Sequence, residues 1–315
     1  MPDPSKGSGV EVGDPLPLAV RQSPLWRWAT PALSTAILIA VVWQLRTLDF
    51  TGVWALVPTT PWFWIVFAAY YFAPVLADFT IFRKLWGVPA EALIALSRKL
   101  VGNELLLGYL GEVYFYSWAR KKVDMTTSPF GAVKDSAILS ALVGNLFTLA
   151  MMIAAYPLIG DLRLEIGNEA VLISMAVLVV LSLLAIAFGK RLFSLTKAEL
   201  WMVAGIHFAR IVATTALVAL AWSLVLPAVA LGWWVVLATV RLLLSRLPLI
   251  PNKDIVFVYV AVFLIGRDAE ITQLMALMTA LILGSHLLLG AILALGDFVT
   301  LARLKLAGPR METRH

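Results

Sequence analysis

Long apolar runs, nearly free of charge, alternate with short polar connections along most of this chain. They cover Thr30 to Leu45, Trp62 to Phe82, Ala137 to Ile159, Val171 to Gly189, Leu200 to Leu226 and Ile271 to Leu295. A hydrocarbon core is crossed by about 20 apolar residues in a helix, so each run predicts a transmembrane helix. The first reaches that length only if Trp26 and Trp28 are counted as its interfacial belt. Two other stretches are apolar but broken. Arg98 to Lys122 carries Asn103, Glu104 and Glu112 and is interrupted by Gly102, Gly108 and Gly111. Further on, the short pieces Trp233 to Leu244 and Ile255 to Ile265 flank the polar run S-R-L-P-L-I-P-N-K-D, Ser245 to Asp254. Carboxylates and glycines are out of place in a continuous span. They suit a hairpin of two half-helices, because irregular backbone at membrane depth is tolerated where it is buried in protein or lines a cavity.

The predicted fold is therefore an all-α integral membrane protein with about six full transmembrane helices and two opposed re-entrant hairpins, residues 92–120 and 232–266. Residues 25–296 form a single membrane domain. Residues 1–24, rich in Pro, Gly and Asp, read as a disordered tail, and residues 297–315 as an amphipathic tail. Hydrophobic residues make up 61% of the chain and charged residues 14%, and the mean hydropathy is +0.90, which leaves no room for a sizeable soluble domain.

Charge placement sets the topology. Arg98 and Lys99 precede the first broken stretch and Arg120, Lys121 and Lys122 follow it. An ordinary span would put one cluster outside, whereas a hairpin that enters and leaves by one face keeps both inside. Arg83 and Lys84, then Lys190, Arg191 and Lys197, and finally Arg303, Lys305, Arg310 and Arg314 mark the other cytoplasmic ends, and both termini fall on that side. The net charge of +6 is thus explained by loops beside spans and calls for no nucleic acid. Reading 232–266 as two short spans gives the same termini, so parity does not choose between the alternatives.

The chain contains no cysteine, which removes disulfides, thiolate catalysis and thiolate metal sites. His207, His286 and His315 lack metal-site spacing, and no D-D-x-x-D, H-E-x-x-H or G-x-S-x-G pattern occurs. No cofactor, metal or catalytic residue is expected. A shift of 142 positions lays Asn103 to Phe115 over Ser245 to Phe257, matching Leu105, Leu107 and Phe115 and setting Glu112 on Asp254. Three full spans lie between the copies, so the hairpins would enter from opposite faces, as in an inverted repeat with its site where the tips meet.

The run L-R-T-L-D-F from Leu45, F-R-K-L around Arg83, N-E-L-L-L-G-Y-L-G-E from Asn103 and R-L-P-L-I-P-N from Arg246 resemble the flippase-like membrane domain of lysylphosphatidylglycerol synthases and its free-standing relatives. Asn103, Gly108, Gly111 and Glu112 fit the family's first loop, which usually also has a proline. Pro248 and Pro251 fit the second, where Asn252, Lys253 and Asp254 replace its glycine-rich part. The resemblance implies movement of a membrane lipid across the bacterial inner (plasma) membrane, without aminoacyl transfer.

Ionisable groups within spans are expensive and are functional candidates by default. The candidate binding residues are Asn103, Glu104, Glu112, His207, Arg210, Arg241, Arg246, Lys253 and Asp254. In a lipid transporter Arg210, Arg246 and Lys253 would hold the phosphate, while Glu104 and Glu112 would meet hydroxyl or cationic parts of the headgroup. The alternatives are solvated carboxylates paired with Lys99 or Arg120, and a structural ion pair for Arg210 with Glu104, Glu112 or Asp254. His286 and Asn145 read as interhelical hydrogen bonders, and Trp62, Trp64, Trp233 and Trp234 as interface anchors. The partner is a membrane lipid as substrate, and assembly of identical copies is compatible with the sequence. The rival functions are an ion- or proton-coupled carrier of small solutes, an enzyme acting on lipid-linked substrates, and an assembly factor with no accessible cavity.

Overall fold

The computed structural model describes residues 57–105, 110–122, 129–159, 192–246 and 268–306, with isolated positions between 176 and 187 and between 257 and 265. Its helices are α1 (Pro61–Trp86), α2 (Ala92–Leu105), α3 (Leu110–Lys122), α4 (Pro129–Ile159), α5 (Lys197–Val225), α6 (Leu231–Arg246) and α7 (Asp268–Leu306), and no strand occurs among the described residues. Four of them are long and apolar enough to cross a membrane: α1, α5 and the segments Phe130–Met151 of α4 and Glu270–Leu293 of α7. The chain is an all-α multi-pass membrane protein. Its surface agrees, since Ile65 and Leu76 on α1, Phe208 on α5 and Leu288 on α7 stand exposed, where acyl chains would cover them.

These four helices correspond to the second, third, fifth and sixth predicted spans. The predicted spans at Thr30 to Leu45 and Val171 to Gly189 lie outside the described residues, apart from isolated helical positions in the latter. The predicted tail from Asp297 to Leu306 continues α7 without a break. Helix ends follow local chemistry. Pro61 opens α1 at a position that needs no N–H, and Gly87, at φ 65°, closes it by donating its N–H to the Arg83 carbonyl at 2.9 Å. A capping box of Thr196 and Glu199 starts α5.

The α1 and α5 helices pack against each other in opposite directions. At one end Phe63 and Phe67 meet Val218 and Trp222, joined by Trp234 and Leu237 of α6 and Leu274 of α7. At the other end Ile81 and Phe82 meet Val203, together with Leu96 of α2, Phe115 of α3 and Leu139 of α4. Trp62, Trp64 and Trp233 are exposed as interface anchors would be, but Trp234 is fully buried beside Trp222, at 5.9 Å between ring centroids. It belongs to the core, because on α6 it lies one residue round from the exposed Trp233.

Between the two apolar clusters, at the middle of α1 and α5, lies a layer of polar side chains. The α4 helix is fixed beside it from outside the layer. The fully buried Asp135 accepts hydrogen bonds from the Ser194 and Leu195 amides at 2.6 and 2.8 Å, and Lys134 binds the Leu192 carbonyl. These contacts hold the segment leading into α5 against α4. Asp135→Ala orphans both amides. A loss of about 3 kcal/mol is expected, read as a lower Tm in detergent and faster proteolysis around residues 192–196.

Candidate functional site

The first broken stretch forms an antiparallel pair of helices. Fourteen residues in α2 and thirteen in α3 give each a length of about 20 Å at 1.5 Å per residue, short of a hydrocarbon core of about 30 Å. Their partners run in opposite order: Glu91 pairs with Lys122 at 3.4 Å, Lys99 with Glu112 at 3.4 Å, and Asn103 accepts a hydrogen bond from the Gly111 amide at 2.8 Å. Glycine is required at the crossing. A Cβ on Gly111 would lie 2.5 Å from Asn103 Oδ1 and closer still to the Lys99 carbonyl oxygen. Gly102 faces Gly111 there, so the two backbones touch without intervening side chains. Gly108 lies outside the described residues.

Asn103 uses both ends of its amide. Its Oδ1 takes the Gly111 N–H and its Nδ2 donates to Glu112 Oε1 at 3.1 Å. Glu112 also meets Lys99, and Lys99 donates to Asp78 of α1 at 2.6 Å. One lysine therefore joins two carboxylates from two different helices, and the helical pair is tied to α1 through it. Glu112 thus takes the pairing with Lys99 that the sequence left as an alternative.

These groups line a cavity of about 340 Å³ shared with α4 and α5. On its far wall Arg210 donates to Ser140 Oγ at 2.9 Å, and His207 shares a hydrogen bond of 3.2 Å with Ser136. The alternative of an ion pair with Glu104 or Glu112 is not formed, Asp254 lies outside the described residues, and Arg210 lies within electrostatic reach of Asp78. Two buried polar atoms here lack a partner among the described residues, Glu112 Oε2 and His207 Nδ1.

A second cavity, of about 640 Å³, adjoins the first. Pro74, Leu100 and Glu104 line both. Pro74, inside α1, leaves the carbonyl one turn before it without its usual helix hydrogen bond. The larger cavity is walled by α1, α2, α5, α6 and α7, and it brings Glu104 from α2 and Arg241 from α6 around one space. Neither has a hydrogen-bond or ion-pair partner among the described residues. His286 and Tyr71 also line it and share a hydrogen bond of 2.8 Å between α7 and α1, as expected of His286. Asn145 makes no such bond among the described residues.

The predicted residues thus divide. Asn103, Glu112, His207 and Arg210 meet at the smaller cavity, Arg241 faces the larger, and Glu104 belongs to both. Arg246 ends α6; its side chain, with Lys253 and Asp254, falls outside what the structure describes, as does the second tip. Sequence reasoning named Lys99 only as an alternative partner for the carboxylates and did not place Asp78, Ser136 or Ser140 at the site. The signals were present: Lys99 and Asn103 lie four apart on α2, and Ser136 and Ser140 lie four apart on α4. Neither cavity holds a group of three or more His, Asp or Glu able to bind a metal among the described residues.

What fold and site define is a class, an all-α multi-pass membrane protein with two adjoining cavities lined by polar groups between its helices. Set against family models, curated proteins and solved structures, the chain matches none.

Lys99→Met leaves Asp78 and Glu112 buried without their cation, and a loss of about 3–5 kcal/mol is expected, measured as a drop in Tm in detergent. The double variant Asp78→Asn with Lys99→Met should recover part of it. Gly111→Ala should cost about 1–3 kcal/mol through the clash at the crossing; an unchanged Tm would mean that α2 and α3 are not in contact there.

Proposed function

We propose that the protein is a lipid transporter of the bacterial inner membrane that moves a polar or anionic headgroup through the two joined cavities while the acyl chains stay in the bilayer. The observation that carries this reading is the pair of opposite charges, Glu104 and Arg241, placed around one cavity of about 640 Å³ and left without a hydrogen-bond or ion-pair partner among the described residues. An unpaired cation inside an apolar bundle is costly, and a phosphate entering the cavity would neutralise it. Arg241 and Arg210 then hold the phosphate, with Arg246 and Lys253 as further anion contacts from the second tip. Glu104 receives hydroxyl or ammonium groups of the headgroup.

In this reading the α2–α3 pair is a re-entrant hairpin on the cytoplasmic side. Both its helices are too short to cross the core, and both its outer ends are basic. Residues 232–266 are its counterpart from the other face, six full spans complete an inverted repeat, and both termini are cytoplasmic. Rocking of one repeat against the other exposes the cavities to each side in turn. The resemblance to the flippase-like domain of lysylphosphatidylglycerol synthases points the same way.

Headgroup exposure in proteoliposomes tests the proposal. Purified protein should speed the appearance of inner-leaflet fluorescent phospholipid at the outer surface relative to empty vesicles. Arg241→Ala should lower that rate roughly tenfold or more, the loss expected for one charged hydrogen bond, with Tm unchanged. Empty-vesicle rates for every phospholipid and glycolipid tried would refute transport of lipid. Uptake of a water-soluble solute alone would make the protein a small-solute carrier.

A further inference from the structure

Resting on the lipid-transport reading, we infer that the smaller cavity binds a proton on Glu112 whenever an anionic headgroup occupies Arg210, so that a proton travels with the lipid. The charged and titratable groups lining this cavity among the described residues are Asp78 on α1, Lys99 and Glu104 on α2, Glu112 on α3, and His207 and Arg210 on α5. The α4 helix adds only the hydroxyls of Ser136 and Ser140 as polar groups. Glu104 stands at the wall shared with the larger cavity, which Arg241 also lines, and is counted there.

That leaves two carboxylates, Asp78 and Glu112, against two cations, Lys99 and Arg210. Lys99 serves both carboxylates, at 2.6 and 3.4 Å. Arg210 touches neither and binds a neutral serine, yet its charge balances the cluster. The balance holds only while Arg210 is free of other anions. A phosphate bound to Arg210 takes that charge for itself and leaves the cluster Asp78–Lys99–Glu112 with a net negative charge in a low-dielectric site, which is costly. Uptake of one proton restores neutrality.

Glu112 is the site of uptake for two geometric reasons. Its ion pair is the longer of the two, so Lys99 can close on Asp78 when Glu112 is neutral. Its Oε2 is buried with no hydrogen-bond partner among the described residues, so a proton placed there displaces no existing hydrogen bond. No bond other than O–H is made or broken: the proton comes from the side on which the headgroup loads and leaves on the side where it is released. Linkage makes the effect reciprocal, since protonation of Glu112 strengthens binding at Arg210 by the factor by which binding favours protonation.

The test is binding of dihexanoylphosphatidylglycerol to the full-length protein in detergent, followed by calorimetry in two buffers of different ionisation enthalpy. Wild type should take up close to one proton per lipid bound, and its affinity should fall as the pH is raised, by at most about tenfold per pH unit. Glu112→Gln should bind the lipid with no proton uptake and with pH-independent affinity; Glu112→Asp should keep the uptake. In proteoliposomes an imposed pH gradient should drive lipid movement in wild type and not in Glu112→Gln. Binding by wild type without proton uptake, or uptake that survives in Glu112→Gln and disappears in His207→Gln, would overturn the assignment while leaving lipid transport standing. Absence of lipid binding and of lipid movement alike would remove the transport reading and the coupling with it.

Discussion

Lys99 binds two carboxylates that no local helix geometry would bring together, Asp78 on α1 and Glu112 on α3. Each is half of an arrangement that fails alone. Without Asp78 the pair α2–α3 loses its tie to α1, and without Glu112 the two helices of that pair lose their charged link at the crossing. An ammonium is compact and carries three donors, which lets one side chain reach both carboxylates. Burial makes the contacts strong and also makes the loss of any member expensive. The charged tie between the α2–α3 pair and α1 and the charged wall of the smaller cavity follow from this shared ion.

The layer is placed by the apolar clusters above and below it. Phe63, Phe67 and Trp222 hold one end of the α1–α5 pair, and Ile81, Phe82 and Val203 hold the other. Side chains between them have no apolar partner of the right size, and the space opens into cavities. Small side chains widen it, with Ser136, Ser140, Thr214 and Thr215 on its walls. Thr214 and Thr215 spend their hydroxyls on carbonyls of their own helix at 2.8–3.1 Å. The larger cavity thus holds the Tyr71–His286 hydrogen bond beside two charged groups, Glu104 and Arg241, that have no hydrogen-bond or ion-pair partner among the described residues, while the smaller is lined by the Asp78–Lys99–Glu112 cluster.

Much of this was legible in the chain. Four of the predicted spans return as long helices, since some 20 apolar residues in succession have few other stable forms. The stretch between Arg98 and Lys122 divides between α2 and α3, although Gly102 and Gly111, read as breaks, lie inside those helices at their crossing, and the structure brings Asn103, Glu112, His207 and Arg210 to one cavity. The partners were not legible. Arg210 hydrogen-bonds Ser140, a partner the sequence did not suggest, and Trp234 was expected at an interface and fills the core. In both cases the deciding fact is which face of a helix turns inward, and a uniformly apolar helix gives no periodicity from which to read it.

Sequence by itself determined the class of the protein: an all-α membrane chain without cysteine chemistry, with its charges confined to loops and to a few positions inside apolar helices. Hydropathy and charge are additive along a chain, so they can be read residue by residue. Which of those inner charges neutralise one another was decided only by tertiary structure. Asp78 and Lys99 are 21 residues apart, Ser140 and Arg210 are 70 apart, and Glu104 faces a cavity with Arg241 from another helix. Ion pairing acts through space over a few ångströms, and distance along the chain does not specify distance in space.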